Sequence, residues 1–405
     1  MTRGWSARFC SLVTAMSIAS YSDAGIWGTQ PVLGISGDYS SNPALLNLPD
    51  TAETHAALLL DAPTTYVGDA FKLSILPSFR LSNSEGYSSL DSDYGHLTAS
   101  SEFDAARNTL TVSGELARDS SLYHDYLLSG STGVRRDTTM ADVNWDHQLT
   151  ERYEVDTDVN WSRVRYGESV GAPTLVDYKY TSIAPTLAWM QSELGKFTVS
   201  ASGSRYNSLD GTTESTSANL QLGFAKKLSE IWSLTASAGY SRAKNQINTG
   251  EVVLEITPDG LVFVRVPVTL KSNQNGSVFA VNLSRQTELL GFSAAVSRQL
   301  VPTGFAFLSL QNSYELKATY NESPRWTFSG DLHRVQYQQP EYSGAAANLN
   351  ITYLQLTAAW QWTEHLTLTV NASRVMEHFA VPSVLVSSTG VSLELARQFD
   401  WKSLP

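Results

Sequence analysis

Cysteine is almost absent from this chain of 405 residues, which has a single one, Cys10, close to the N-terminus. Disulfide bonds are the usual device of small secreted proteins, but they cannot hold this fold together. Long hydrophobic runs are missing as well, because no apolar stretch reaches the roughly 20 residues that a transmembrane helix needs. The mean hydropathy is −0.17. These two absences exclude a disulfide framework and a helical membrane protein.

Sequence signatures of catalysis and cofactor binding are also absent. The chain has no phosphate-binding loop, no HExxH pair and no CxxC pair, and its seven histidines are scattered without the spacing of metal ligands. Serine and acidic residues are so abundant that no catalytic triad stands out. We therefore expect no catalytic residues, no enzyme activity, no metal and no cofactor. The formal net charge of −11 argues against nucleic acid as a partner.

The N-terminal segment has the features of a secretory leader. Two arginines precede the modest apolar stretch at residues 9–19, and Ser22-Asp23-Ala24 has the small-x-small pattern of a cleavage site. We predict that residues 1–24 are a signal peptide and that the mature chain begins at Gly25. Cys10 would be removed with the leader, so the mature chain would contain no cysteine.

Strict alternation of apolar and polar residues recurs throughout the rest of the chain. From position 232 onwards, Trp232, Leu234, Ala236, Ala238 and Tyr240 alternate with serine, threonine or glycine. A period of two predicts β-strands with one apolar and one polar face. The same design occurs at residues 110–118, 153–163, 197–205, 326–334 and 366–374.

The distribution of apolar residues within each strand favours a membrane barrel over a soluble sandwich. The apolar face has small side chains in the middle, at Ala236 and Ala238, and large aromatic side chains at its ends, at Trp232 and Tyr240. A sandwich fills its inner face with large side chains, whereas aromatic girdles flank the apolar band of a transmembrane barrel. We predict an all-β, antiparallel up-and-down transmembrane barrel whose aromatic girdle comprises Trp145, Trp161, Trp232, Tyr240, Trp326, Trp360 and Trp362.

The connections between strands are of two kinds. Short turns containing glutamate recur at residues 150–151, 192–193, 229–230, 287–288 and 363–364, whereas the connections between them are longer and rich in Gly, Ser, Asn and Asp. Outer-membrane barrels have short periplasmic turns and long outer loops, so the short turns are predicted to be periplasmic. The loop at residues 245–276 is predicted to be a hairpin that either extends two barrel strands or contacts a substrate or partner.

Counting strands between these turns gives about eighteen. In this interpretation residues 25–65 supply the first two strands and residues 66–405 form the main barrel. The alternative is sixteen strands, with residues 25–65 as a periplasmic or plug segment. Both counts are even, so both chain ends return to the periplasm.

One pair of strands has an unusually acidic polar face. A three-residue turn after Leu149 would place Asp146 opposite Asp156 and Asn144 opposite Asp158. Like charges directly opposite each other are unfavourable in a sheet, but a water-filled lumen would screen them. We interpret Asp142, Asp146, Glu154, Asp156 and Asp158 as an acidic lumen wall that favours cations. The alternative is a solvated wall with Arg135 or Arg136 as counter-charges.

Arginine ends many of the apolar faces on the side of the long loops. An even offset from the apolar residues keeps each arginine on the same face. These side chains either reach the phosphates of the outer leaflet or are ordinary strand-end charges. The outer-rim arginines are Arg118, Arg163, Arg205, Arg242, Arg298, Arg334 and Arg374.

Three segments carry a resemblance to a known family. The hairpin unit at residues 228–242, the stretch Ser36-Gly37-Asp38-Tyr39-Ser40-Ser41-Asn42-Pro43 and the stretch Leu76-Pro77-Ser78-Phe79-Arg80 are similar to the outer-membrane β-barrel porin family of Gram-negative bacteria. The likeness is greatest to the group associated with exopolysaccharide systems. One departure is that Asp400 to Pro405 follow Phe399, whereas such barrels usually end on an aromatic residue of the last strand.

The resemblance implies a barrel in the outer membrane that acts as a porin-like channel or export pore for a polar solute, with a polysaccharide-related role. The expected partners are outer-membrane lipid and lipopolysaccharide, the barrel-assembly machinery and polysaccharide-export proteins. Two alternatives remain from the residues themselves. One is a non-conducting structural or partner-binding barrel at the cell surface, and the other is a barrel enzyme.

Overall fold

The computed structural model describes residues 25–43, 45, 52–85, 94–120, 134–167, 175–257, 260–303, 308–338, 349–379 and 384–399. These residues form strands and contain no helix long and apolar enough to cross a membrane. The predicted signal peptide, residues 1–24, lies outside the described residues.

Within the described residues, twenty strands follow one another. They are β1 (Ile26–Thr29), β2 (Val32–Ser40), β3 (Glu53–Asp61), β4 (Thr64–Val67), β5 (Phe71–Glu85), β6 (Tyr94–Ala105), β7 (Asn108–Ser120), β8 (Arg135–Gln148), β9 (Tyr153–Tyr166), β10 (Tyr178–Ser192), β11 (Gly195–Ser208), β12 (Thr213–Lys227), β13 (Trp232–Thr257), β14 (Gly260–Gln286), β15 (Leu290–Pro302), β16 (Leu308–Ser323), β17 (Trp326–Gln338), β18 (Leu349–Thr363), β19 (Leu366–Phe379) and β20 (Val384–Gln398).

The sheet closes into a barrel of eighteen antiparallel strands. β2 pairs with β20 from Val32↔Gln398 to Ser40↔Gly390, β3 pairs with β5, and each later strand pairs with the next one. The ring therefore consists of β2, β3 and β5 to β20, which confirms the predicted barrel and the count of eighteen. The first two wall strands, β2 and β3, lie within residues 25–65.

The two remaining strands form a short ribbon. β1 pairs with β4, and β4 pairs with the beginning of β5, from Thr64↔Ile75 to Val67↔Lys72. Pro31 and Pro63 separate this ribbon from β2 and β3. Because proline has no N–H to donate, it interrupts strand pairing, and the ribbon continues past the barrel wall.

The connections differ sharply between the two ends of the barrel. At one end, here called the short-turn end, turns of two to four residues join β4 to β5, β6 to β7, and so on to β18 and β19. The backbone N–H of Leu149 donates to the Tyr153 carbonyl at 2.9 Å, and that of Leu228 donates to the Trp232 carbonyl at 2.9 Å. These bonds close the hairpins at the predicted positions. The opposite end is called the long-loop end.

The two faces of the wall have opposite polarity. On β12 the outward side chains Leu220 and Leu222 are 58% and 65% exposed, and between them Asn219 and Gln221 face the lumen. Outward Tyr240 on β13 pairs with Leu220 across the strands. The fold thus places its apolar surface outside and its polar surface inside, the reverse of a soluble protein.

The β13–β14 hairpin is much longer than its neighbours. Its register runs without a break from Trp232↔Arg285 to Thr257↔Gly260, and a strand of that length spans about 80 Å. Residues 245–276 are therefore a continuous extension of two wall strands beyond the long-loop end. This agrees with the first of the two interpretations given for that segment.

Candidate functional site in the barrel lumen

The acidic lumen wall lies on neighbouring strands β8 and β9. The register pairs Asp146 with Asp156 and Asn144 with Asp158, as expected from the three-residue turn. Asn144 Nδ2 donates to Asp158 Oδ1 at 2.8 Å and to Asp156 Oδ1 at 3.3 Å. Asn160 donates to Asp142. The two asparagines thus hold three of the carboxylates, Asp142, Asp156 and Asp158, by hydrogen bonds on the lumen face.

The basic residues nearest in sequence bind other acids. Arg136 Nη2 lies 2.8 Å from Asp119 Oδ2, and Arg135 Nη2 lies 3.6 Å from Asp137 Oδ2. Both arginines are at the long-loop end of β8, about six or more residues along the strand from Asp142. These ion pairs are therefore separate from the acidic lumen wall.

An uncharged polar wall adjoins the acidic one. Ser204 and Ser217 share a hydrogen bond of 2.6 Å between β11 and β12, and Ser237 Oγ donates to Gln221 Oε1 at 3.1 Å. Small hydroxyl and amide side chains on these strands leave room in the lumen and satisfy one another. The lumen consequently has one acidic side and one neutral, hydroxyl-rich side.

A hairpin turns inward at the long-loop end and enters the lumen. The pairing of β14 with β15 stops at Phe279↔Arg298, whereas β15 and β16 remain paired as far as Pro302↔Leu308. Leu308 is fully buried in a cluster with Val164, Tyr178 and Tyr206. Those three residues belong to the lumen faces of β9, β10 and β11, so the paired ends of β15 and β16 at Pro302 and Leu308 reach the inside of the barrel.

Polar contacts fix the same hairpin. Tyr206 Oη donates to the Thr303 carbonyl at 3.3 Å, and this bond is buried. A Cβ atom on Gly276 of β14 would lie 3.8 Å from Leu310 Cδ2, which places Leu310 close to the lumen face of β14. The hairpin therefore covers part of the wall between β9 and β14 and narrows the barrel mouth.

Sequence reasoning did not find this inward hairpin. Leu308 and Leu310 share the alternation of the outward residues Tyr314 and Leu316, so the pattern alone places them against lipid. The available signal was Leu300-Val301-Pro302, three consecutive apolar residues where other strands end in arginine. Loss of alternation at a strand end indicates burial on both sides.

The outer-rim arginines are in register with outward side chains; six lie within five residues of the long-loop ends of their strands, and Arg242 lies within β13, which continues to Thr257. Arg118 Nε lies 2.7 Å from Asp137 Oδ1, and Arg205 Nη2 lies 2.8 Å from Glu214 Oε1. Arg298 occupies the point where β15 leaves β14. The other four arginines have the parity of the outward side chains on their strands; they are Arg163, Arg242, Arg334 and Arg374.

The predicted aromatic girdle residues face outward at two levels. Trp161 and Tyr240 lie towards the long-loop end, and the others, Trp145, Trp232, Trp326, Trp360 and Trp362, lie towards the short-turn end. The rings of Trp326 and Trp360 stack at 5.6 Å, and those of Trp360 and Trp362 at 5.5 Å. Three further outward aromatics, Trp189, Phe197 and Phe224, form a second row with centroids 5.9 and 5.1 Å apart.

Metal-ligating side chains are dispersed in the described parts of the chain. These parts contain no group of three or more His, Cys, Asp or Glu side chains that could hold a metal ion.

Comparisons with known proteins give neither a family nor a curated relative for this chain. Among solved structures, the chain is similar to OccK2 (OpdF) of Pseudomonas aeruginosa in complex with glucuronate, with 10% identity over 92% of this chain and 98% of that chain and a TM-score of 0.46. It is similar to OpdQ of Pseudomonas aeruginosa, with 11% identity over 93% and 99% and a TM-score of 0.46. It is also similar to the ferric citrate transporter FecA, with 8% identity over 92% and 79% and a TM-score of 0.49. The resemblance to exopolysaccharide-associated porins stays a prediction.

Proposed function

We propose that this protein is an outer-membrane β-barrel of a Gram-negative bacterium and forms a channel for small polar solutes with a preference for cations. The observation that carries the proposal is the reversed polarity of the closed barrel. An exposed apolar band with aromatic rows matches a lipid environment, and a lumen lined by carboxylates, hydroxyls and amides matches water. The inward hairpin supports small solutes over a polysaccharide chain, whose export is the alternative.

The cation preference rests on the acidic lumen wall. Negative charges along a narrow aqueous path raise the local concentration of cations, and salt screens them over about 10 Å at 0.1 M. In planar bilayers with a salt gradient, we expect the double variant Asp146→Asn and Asp156→Asn to lower the cation-to-anion permeability ratio by about twofold. The matched control is Glu193→Gln with Glu230→Gln, which removes two charges from the turns outside the lumen.

The outcomes of this experiment separate the candidate functions. An unchanged ratio in the lumen variant, or an equal change in the control, would show that these acids are only a solvated wall. A folded parent protein that carries no current would favour the non-conducting, partner-binding barrel. Hydrolysis of lipid or glycan substrates by that protein would revive the enzyme alternative.

The outer-rim arginines support a second part of the proposal, which concerns the surrounding lipid. Arg163, Arg334 and Arg374 have no ion pair with any described residue, and hydrogen bonds to charged groups contribute about 1.5–3 kcal/mol each. We propose that they bind phosphate groups of the lipopolysaccharide leaflet. Changing all three to glutamine should reduce the thermal stability that lipopolysaccharide adds to the barrel, with a much smaller change in phosphatidylcholine bilayers, where choline neutralises the phosphate charge. Equal stability of parent and variant in both lipids would contradict this role.

A further inference from the structure

A cavity of about 440 Å³ opens into the lumen beside the seam where β2 meets β20. It is lined by residues of β2, β3, β5, β6, β18, β19 and β20, and by Pro43 and Leu45 in the connection after β2. The acidic lumen wall on β8 and β9 does not contribute to it. Its volume is in the range of small-molecule sites.

An ion pair forms one side of this cavity. Arg80 Nη2 donates to Asp38 Oδ2 at 2.5 Å, and Ser36 Oγ donates to the same oxygen at 3.1 Å. The negative charge of Asp38 is thus matched by the guanidinium. The pair joins the segments 36–43 and 76–80, which are distant in sequence.

A hydrogen-bond network forms the opposite side. Tyr353 Oη donates to Gln355 Oε1 at 2.8 Å. Asn371 Oδ1 accepts from Thr357 Oγ1 at 2.6 Å, and Asn371 Nδ2 donates to Ser392 Oγ at 3.1 Å. These bonds hold the amide and phenol groups in fixed orientations, so that they present a preorganised polar surface.

Glu394 is the charged group that this network leaves uncompensated. It is half-buried on β20 and lines the cavity, and no described residue gives it a hydrogen bond or an ion pair. Arg80, which is paired with Asp38, also attracts Glu394 at longer range, but the formal charges of these three groups still leave a net charge of −1. Partial burial of an unpaired carboxylate costs free energy, which a cationic ligand would recover.

We propose that this cavity binds a small organic cation that carries a primary ammonium group and several hydroxyl groups. Glu394 accepts the ammonium hydrogen bonds, while the Asp38–Arg80 pair and the oriented amides bind the hydroxyls. Leu45, Val375 and the Tyr353 ring supply the apolar surface for the carbon chain. The proposal deepens the proposed function and rests on it only in that the lumen is the path by which the solute arrives.

Three compounds with the same six-carbon chain test the charge of the ligand. Glucamine is a cation at neutral pH, sorbitol is neutral and gluconate is an anion. Isothermal titration calorimetry of the full-length mature barrel in detergent should give a dissociation constant for glucamine at least about tenfold lower than that for sorbitol, because a charge-assisted hydrogen bond is roughly twice as strong as a neutral one. Gluconate should not bind measurably.

A pair of variants tests the role of Glu394. We expect Glu394→Gln to weaken glucamine binding by about tenfold or more while leaving sorbitol binding unchanged. Glu115→Gln removes the same charge from the lumen face of β7, where Glu115 lies 3.2 Å from His96 and outside the cavity. This control should bind glucamine like the parent protein.

Several results would overturn the proposal. Equal affinities for glucamine and sorbitol would indicate a neutral polyol site, and tighter binding of gluconate would indicate that Arg80 dominates. Equal losses in both variants would indicate a long-range charge effect. The comparison of the three compounds in the parent protein tests the preference for a cation even if the Glu394→Gln variant does not fold. The titration does not depend on membrane current, so a barrel that does not conduct would not contradict this proposal. A barrel that conducts but shows no preference for glucamine would overturn this proposal and leave the proposed channel function intact.

Discussion

Replacing Leu308 and Leu310 with alanine should raise the single-channel conductance and let larger polyethylene glycols enter the barrel. Leu308 is fully buried against Tyr206 on the lumen face of β11, and truncation of a buried leucine to alanine costs about 2–5 kcal/mol. With its main apolar contacts removed, the β15–β16 hairpin should leave the lumen wall and widen the mouth. Planar-bilayer recordings with polymers of graded size measure both effects.

The matched control for this prediction uses outward leucines of β16 and of its neighbour β17. Leu316 on β16 and Leu332 on β17 are exposed on the outward face, so their double change to alanine removes the same atoms without touching the lumen. We expect the parent conductance in this control. An unchanged conductance in the Leu308 and Leu310 variant, or the same increase in the control, would show that the hairpin does not limit passage.

A single arginine should be tolerated very differently at two adjacent positions of β13. Ala236 lies on the outward face between Phe224 and Val281, whereas Ser237 lies on the lumen face and donates to Gln221. Arginine at position 236 would be in the middle of the lipid-facing band, where it costs about 2–4 kcal/mol. Arginine at position 237 loses one hydrogen bond, worth about 1 kcal/mol, and keeps its charge in water.

Reversible unfolding of the two variants in lipid vesicles measures this difference directly. The free energy of unfolding should fall much further for Ala236→Arg than for Ser237→Arg. Equal losses at the two positions would mean that the outward face does not contact lipid, and the membrane assignment would then fail.

The alternation of the sequence was enough to predict the wall of this barrel. Each strand has a period of two, so the parity of a residue fixes its face, and the three-residue turn after Leu149 fixes the pairing of Asp146 with Asp156. The eighteen-strand count followed from the same reasoning. These features depend only on residues within a strand or within one turn. In an up-and-down barrel each strand pairs with its neighbour in sequence, so no long-range information is needed to arrange the wall.

The inward hairpin and the cavity could not be predicted in the same way. Parity gives the face of Leu308 within its sheet, but it does not say where β15 and β16 leave that sheet. The bond between Tyr206 and Thr303 joins residues 97 positions apart, and Asp38 and Arg80 are 42 apart. Neither contact follows from the pattern of its own strand.

The candidate binding cavity lies at the seam between β2 and β20, so ligand binding there is linked to closure of the barrel. Ser40 and Ser388, 348 positions apart, share a hydrogen bond of 2.8 Å across this seam, so the cavity exists only after the last strand has joined the first. A ligand that binds the closed barrel alone stabilises it by RT ln(1 + [L]/Kd). Binding of the solute would therefore stabilise the pairing of β2 with β20. Barrels in which these two strands are not yet paired would lack a complete cavity and would not bind the solute.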